Sequence, residues 1–334
     1  MDIFDWITEE VAPEQRNTED LLYEHMESQS GRSLPIIYVP FDPANGGHWR
    51  DRGAALDFVL ATQAQDKRVL DLGPGDGWPS LIIAPFVSEV VGVEGAHRRV
   101  EVCRENAAKM GITNATFDYV KPRDRLPYSD QSFDAIVAAS SVEQTPDPQA
   151  TLAELYRVLK PGGRLRMFFE SPARYRGEPE RETWLSAVDG ETTRLVLLDR
   201  HIDEEFAVQI ALTYALAEAE LVEALGGSDQ DLTFEAVSIE RLTELESKRV
   251  DAGICATRHA SASTLIRWMT EIGFTTVQAT HSGIWIAGNL FGALAPATRP
   301  ATLEAIDSYL RPIVQVGVDL PAPVGLDPML TAVK

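Results

Sequence analysis

The alternation of apolar and polar segments along residues 68–170 predicts a repeated strand–helix pattern. The predicted strands are, in chain order, RVLDL (68–72), EVVGVEG (89–95), NATFDYV (114–120), SFDAIVAA (132–139) and RLRMFFE (164–170). Segments with apolar residues at helical spacing lie between them, among them AHRRVEVCRENAAKMGI (96–112) and ATLAELYRVL (150–159). This order predicts an α/β fold, a doubly wound and mostly parallel sheet with helices on both faces.

A glycine-rich loop follows the first predicted strand. Gly73, Gly75 and Gly77 provide a tight turn of bare backbone before a predicted helix start at WPS. Such a strand–loop–helix unit binds a nucleoside-like ligand at the carboxyl edge of a sheet. A dinucleotide fingerprint would need glycine at position 78, where Trp78 stands and where helix and strand should pack closely. The pattern therefore favours a nucleoside ligand without a pyrophosphate.

The phrases LPYSDQSFDAIVAA (126–139) and LYRVLKPGGRLRM (155–167), together with the glycine loop, resemble the class I S-adenosylmethionine (SAM) methyltransferases. The resemblance covers residues 68–170. It implies a Rossmann-like core with an antiparallel last strand, SAM as cofactor and S-adenosylhomocysteine as product. The cofactor-binding residues that it implies are Asp71, Gly73, Pro74, Gly75, Gly77, Trp78, Glu94, Gly95, Arg123, Asp124, Ala139 and Ser140.

One further residue fits the pattern of this family, and two positions depart from it. Glu94 ends the second predicted strand, where a carboxylate can accept hydrogen bonds from both ribose hydroxyls. Pro122 replaces the aspartate that holds the adenine amino group in relatives, so adenine recognition passes to the Arg123 backbone or to Asp124. Glu143 is followed by glutamine where relatives often have histidine, so no histidine role carries over to that position.

The methyl group of SAM is already activated, so the main task of the protein is to align an acceptor about 3 Å away with water excluded. A general base is needed only for a hydroxyl or protonated amine acceptor. The candidates are His281, His48 and Glu143, each with a packing or surface role as the alternative. His97 is expected beside the adenosine. The histidines lack ligand spacing, and no metal is expected.

Composition restricts the partners. The 334 residues carry a net charge of −21, which disfavours a nucleic-acid substrate. No apolar run is long enough to span a bilayer, and no signal peptide is visible. Two cysteines suggest neither a disulfide framework nor a zinc site, so a cytoplasmic location is expected. The expected substrate is a small or medium organic molecule.

Five segments are predicted along the chain. Residues 1–50 form an N-terminal lid or flap segment. The acidic residues 1–30 are expected to form an amphipathic helix that serves as a lid or a dimer element, followed by either a flap over the cofactor or a surface connector anchored by Tyr38, Phe41 and Trp49. Residues 51–172 are the SAM-binding core. Residues 173–258 form a helical insertion that caps the substrate or makes a homodimer.

Two helices are expected in the insertion, over DEEFAVQIALTYALAEAELVEALGG (203–227) and SIERLTELESKRVDAG (238–253), the second with Ser238 as N-cap. Residues 259–298 complete the core with a helix and two strands joined by a hairpin turn at 281–283. Residues 299–334 give a last helix and a surface tail. A SAM-binding protein without transfer activity and a NAD-dependent oxidoreductase are the alternative functions.

Overall fold

The computed structural model describes residues 1–17, 21, 23, 26–27, 41–170, 172–227, 232–323 and 329–334. The chain divides into two compact units. The core unit contains residues 29–171 and 260–334, and the insertion unit contains residues 1–28 and 172–259.

The α-helices of the described residues are α1 (Ile3–Trp6), α2 (Gly46–Thr62), α3 (Ser80–Ile83), α4 (His97–Met110), α5 (Pro148–Val158), α6 (Glu218–Ala224), α7 (Ile239–Leu245), α8 (Ala262–Ile272), α9 (Gly283–Ala293) and α10 (Leu303–Asp319). The strands are β1 (Glu14–Gln15), β2 (Arg68–Leu72), β3 (Glu89–Glu94), β4 (Ala115–Tyr119), β5 (Phe133–Ala139), β6 (Leu159–Phe168), β7 (Arg181–Ala187), β8 (Thr193–His201), β9 (Phe206–Tyr214), β10 (Arg249–Arg258), β11 (Thr276–Thr280) and β12 (Met329–Val333). A π-helical turn (Ile7–Val11) and short 3₁₀ turns connect some of them.

The core unit is built on a seven-stranded sheet with the order β11-β12-β6-β5-β2-β3-β4. Strands β2 to β6 pair in parallel, whereas β12 is antiparallel to both of its neighbours, β11 and β6. The predicted Rossmann-like sheet with an antiparallel last strand is confirmed.

Apolar residues cover both faces of this sheet. On one face, Leu70 and Ile136 lie in a buried cluster with α5 and α8; on the other, Val69 and Val137 cluster with α2 and α3. Helices on both faces are what a parallel sheet requires, because its strands are buried on both sides.

The insertion unit is organised around an antiparallel sheet with the order β1-β10-β9-β8-β7. Alternate residues of β8 and β9 form one apolar face, which packs against α1, α6 and α7. The prediction of a helical insertion is therefore wrong. The 203–227 segment has β9 where a helix was expected, and only its end is helical, in α6. The second predicted helix exists as the short α7, and the Ser238 hydroxyl accepts the Arg241 N–H at 3.3 Å.

The predicted N-terminal segment is also revised. Residues 1–28 belong with the insertion rather than with residues 41–50. A continuous amphipathic helix is excluded because Ala12 has a left-handed backbone and β1 follows it. Tyr38 lies outside the described residues. Trp49 is fully buried, and its indole N–H donates to the Pro43 carbonyl at 2.9 Å, which supports the connector alternative at that position.

Two further predictions near the C-terminus are wrong. The segment after β11 forms α9, so residues 281–283 are a strand–helix turn and not a hairpin. The tail is not draped over the surface, because β12 is buried between β11 and β6. Across the described part of the chain, every helix is too short or too polar to cross a membrane.

Candidate functional site

The glycine loop lies at the carboxyl edge of the core sheet, directly after β2. Gly73, Gly75 and Gly77 have φ values of +70°, +61° and +112°, in the region that side chains disfavour. A Cβ on Gly73 would stand 2.6 Å from the Cβ of Ser141, which follows β5. The loop therefore needs glycine for its own path and for the approach of the neighbouring β5 loop.

Asp71, in β2 just before the glycine loop, binds Ser80 on the far side of the loop. Its side chain is fully buried, and its Oδ2 accepts the Ser80 N–H at 3.0 Å and the Ser80 hydroxyl at 2.6 Å. Burial raises the pKa of Asp71 to about 7. The Oδ1 atom has no hydrogen-bond partner among the described residues. Asp71 thus fixes the start of α3 relative to β2.

Glu94 joins the end of β3 to the glycine loop. Its carboxylate accepts the backbone N–H groups of Gly75 at 3.0 Å, Gly95 at 2.8 Å and Ala96 at 3.2 Å. Burial raises its pKa, although these hydrogen bonds and Arg99 oppose the shift. Oε2 accepts only one of the three bonds, so it retains a lone pair for a donor such as a ribose hydroxyl. The predicted ribose residue lies at the expected strand end.

Trp78 connects the end of the glycine loop to α2. Its indole N–H donates to Asp51 Oδ1 at 3.1 Å, and its ring packs edge-on against Phe58 with centroids 6.0 Å apart. Asp51 was missed by the sequence reasoning. The residues around Asp51 in α2 contain no recognisable motif. Its hydrogen bond with Trp78 joins residues 27 positions apart, and no local sequence pattern predicts such a contact.

The residues expected near adenine follow β4, next to the Glu94 end of β3. Arg123 has a left-handed backbone (φ +73°), in a turn closed by the Asp124 N–H donating to the Lys121 carbonyl at 3.0 Å. His97 stacks on Tyr119 with ring centroids 3.5 Å apart. Since Tyr119 pairs with Glu94 in the sheet register, this aromatic pair lies beside the ribose residue.

The loop after β5 contributes the other neighbour of the glycine loop. Ala139 and Ser140 are half-buried, and the Ser140 N–H donates to the Phe168 carbonyl at 2.9 Å. Ser140 has φ +48°, which turns the chain sharply out of the strand. This turn brings Ser141 onto Gly73, so the two loops pack together.

Glu143 is a buried carboxylate in the same loop. It is 7% exposed, and its Oε1 accepts the Glu170 N–H at 3.0 Å. Its Oε2 has no partner among the described residues, and burial raises its pKa to about 7. A carboxyl group that titrates near neutral pH, one strand away from the glycine loop, has the properties of a general base.

The two histidine candidates are placed differently. His281 follows β11, four strand positions from β2, which corresponds to about 19 Å at about 4.8 Å per strand. His48 is 3% exposed, and its Nδ1 accepts the Asp42 N–H at 2.7 Å. Of the three, Glu143 lies in the loop that packs on the glycine loop, His48 lies three residues before Asp51 in α2, and His281 lies at the far end of the sheet order.

Comparison with known proteins agrees with this geometry. Residues 70–167 match the methyltransferase domain family. The chain is 32% identical to 27-O-demethylrifamycin SV methyltransferase of Amycolatopsis mediterranei, over 40% of this chain and 55% of that protein. It is 35% identical to 2-methyl-6-phytyl-1,4-hydroquinone methyltransferase 2 of rice (Oryza sativa subsp. japonica), over 40% of this chain and 37% of that protein.

A third relative is the uncharacterized methyltransferase YcgJ of Bacillus subtilis, 35% identical over 30% of this chain and 39% of that protein. The chain thus matches about half, or less, of the length of these relatives. The matched region is the part that holds the glycine loop, Glu94 and Glu143. Residues 70–167 of the chain are therefore similar to the methyltransferase domain of these proteins.

Proposed function

We propose that this protein transfers the methyl group of SAM to a small or medium organic acceptor. The Glu94 carboxylate supports this function most strongly. It accepts the N–H of Gly75 and can still accept a hydrogen bond from a ribose hydroxyl. Rifamycin and hydroquinone methyltransferases among the relatives support an acceptor of this class.

SAM would lie along the carboxyl edge of the core sheet. Glu94 would accept ribose hydroxyls, and the bare backbone of Gly73 and Gly75 would approach the ligand closely. The turn with Arg123 and Asp124 would face adenine, since it follows β4 on the far side of β3 from the glycine loop. Asp71 and Ser140 would support the loops on either side of the methyl-bearing end.

When bound, SAM would supply an activated methyl group, to whose carbon an aligned nucleophile bonds as the methyl–sulfur bond breaks and S-adenosylhomocysteine leaves. The residues of this chain would bind and orient the two partners and exclude water. For a hydroxyl or protonated amine acceptor, Glu143 would take the proton through its unpartnered Oε2. With its pKa raised to about 7 by burial, it is ionised in part at neutral pH.

The insertion unit is the segment that we propose for acceptor binding, with dimer formation as the alternative. It is not required to complete the sheet that holds the cofactor residues. Both cysteines are buried, and we propose the reducing cytoplasm as the location.

The direct test is to incubate the purified protein with SAM and a panel of hydroxylated and amino-substituted aromatic compounds. We expect S-adenosylhomocysteine and one methylated product to form in equal amounts. Tight SAM binding without turnover on any acceptor class would instead favour a SAM-binding protein. Absence of SAM binding would contradict the proposal.

A further inference from the structure

Asp51 is a half-buried carboxylate at the glycine loop to which the sequence assigns no role. It lies in the second turn of α2, and its Oδ1 accepts the Trp78 indole N–H at 3.1 Å. Trp78 directly follows Gly77, and its ring is braced by the buried Phe58. The contact fixes Asp51 against the end of the loop that we propose binds SAM.

The sheet order indicates which end of SAM would lie near Asp51. The ribose residue Glu94 ends β3, and α2 packs on β5 and β6, on the opposite side of β2. Because α2 leads into β2 from the amino edge, its first turns lie at the carboxyl edge. With ribose at β3 and adenine towards β4, the amino-acid part of SAM extends towards β2 and α2.

The charges around Asp51 fit a cationic ligand. Burial raises the pKa of this carboxyl, and Asp76 raises it further, while Trp78, His48 and Arg50 lower it. A half-buried carboxylate with an acidic neighbour is costly to ionise, and a bound ammonium group would offset that cost. The amino-acid part of SAM carries such a group.

We propose that Asp51 binds the α-ammonium group of the amino-acid part of SAM and that Trp78 is a positioning residue, holding the carboxylate through its indole N–H. This inference rests on the proposed function, because it assumes that SAM occupies the glycine loop.

The test compares two ligands on the full chain by titration calorimetry. S-adenosylhomocysteine contains the α-ammonium group, whereas 5′-methylthioadenosine has the same base, ribose and sulfur but lacks the amino acid. Asp51→Asn should weaken S-adenosylhomocysteine binding about tenfold or more, the effect of one charged hydrogen bond. Its affinity for 5′-methylthioadenosine should stay within about twofold of wild type.

Trp78→Phe is the matched variant for the positioning role, because it keeps an aromatic ring against Phe58 and removes only the N–H. It should lower the affinity for S-adenosylhomocysteine less than Asp51→Asn does and leave 5′-methylthioadenosine binding unchanged. Thermal melting of each variant verifies that the fold is retained.

Equal losses for both ligands would overturn the inference, since they would mean that Asp51 shapes the whole pocket. Unchanged binding of S-adenosylhomocysteine by Asp51→Asn would overturn it as well. A wild-type protein that binds neither ligand would overturn the proposed function, a result distinct from either of these.

Discussion

Gly75 and Gly111 hold their backbones in nearly the same left-handed conformation, with φ values of +61° and +66°. Gly111 ends α4, and a Cβ there would meet nothing within 4 Å. A Cβ on Gly75 would lie 3.2 Å from the Arg99 guanidinium, a flexible group that can move. The two positions therefore separate backbone strain from ligand contact.

We predict that Gly75→Ala and Gly111→Ala each lower the free energy of unfolding by about 1–2 kcal/mol, the cost of a side chain in this conformation. Only Gly75→Ala should weaken S-adenosylhomocysteine binding, because its methyl group occupies space beside the ligand. Urea unfolding and calorimetry on both variants measure the two effects. If Gly75→Ala binds S-adenosylhomocysteine with wild-type affinity, the glycine loop is not part of the binding site.

Glu143 gives a pH dependence with a defined direction. Its pKa is raised to about 7 by burial, so the base form appears as the pH rises through about 7. With a hydroxyl acceptor, turnover should rise over that range, and Glu143→Gln should reduce it about 10²- to 10⁴-fold. The pH–rate profile of both proteins is the measurement. A profile that stays the same in the variant would exclude Glu143 as the base.

The same shift affects stability. Because the pKa of Glu143 is raised in the folded protein, the folded protein keeps a proton that the unfolded chain releases. The contribution of Glu143 to the free energy of unfolding is therefore full below about pH 4.5 and is lost as the pH rises through about 7. Glu143→Gln should therefore lose less stability between pH 5 and 8 than the wild type does.

At the scale of elements, β2, β3 and β5 could be predicted because each is a mostly apolar run followed by a turn or loop and a helix, and β4 and β6 could be predicted from their places in the same alternation. The glycine loop and Glu94 could be placed with them, since both depend on local order along the chain. Asp51 could not, because its contact with Trp78 depends on how α2 packs.

The errors have physical causes of their own. In β9, Phe206, Val208, Ile210, Leu212 and Tyr214 alternate with period two, but the alanines around them also suit a helix, and the partner strands were not recognised. The segment of α9 is rich in residues that favour strands, yet Ser282 caps it by accepting the Ile284 N–H at 3.2 Å. Tertiary contacts decided both.

The misassigned strand β12 gives a test at this scale. Leu330 is fully buried between β11 and β6, at the end of the chain. We predict that Leu330→Ala lowers the free energy of unfolding by about 2–5 kcal/mol, the cost of a core cavity. Val316 is 65% exposed on α10, and Val316→Ala should change the free energy of unfolding by about 0.5 kcal/mol or less. Similar effects in the two variants would contradict the buried position of β12.

For the whole molecule, the division into two units determines which part can be removed. Ile3, Phe4 and Ile7 pack against the insertion sheet, so residues 1–28 and 172–259 must be deleted together. The chain leaves and re-enters the insertion unit close together, as the ring centroids of Tyr175 and His259 are 5.6 Å apart. A short Gly/Ser linker can therefore replace the unit.

We predict that this shortened protein keeps its affinity for S-adenosylhomocysteine within about tenfold, or about 1.4 kcal/mol, because all proposed cofactor residues remain. It should lose methyl transfer, since the acceptor would lack its contacts and its shield from water. Calorimetry, product detection and the oligomeric state are measured on one sample. A monomer with full turnover would show that the insertion serves only to assemble copies of the chain.

The central claim is that the Glu94 carboxylate at the end of β3 holds the ribose of SAM, and calorimetric titration of wild type and Glu94→Gln with S-adenosylhomocysteine tests it most directly. We predict measurable binding by the wild type and a loss of about 1.5–3 kcal/mol in the variant, the effect of hydrogen bonds to a charged group. Equal affinity in two folded proteins would contradict the account.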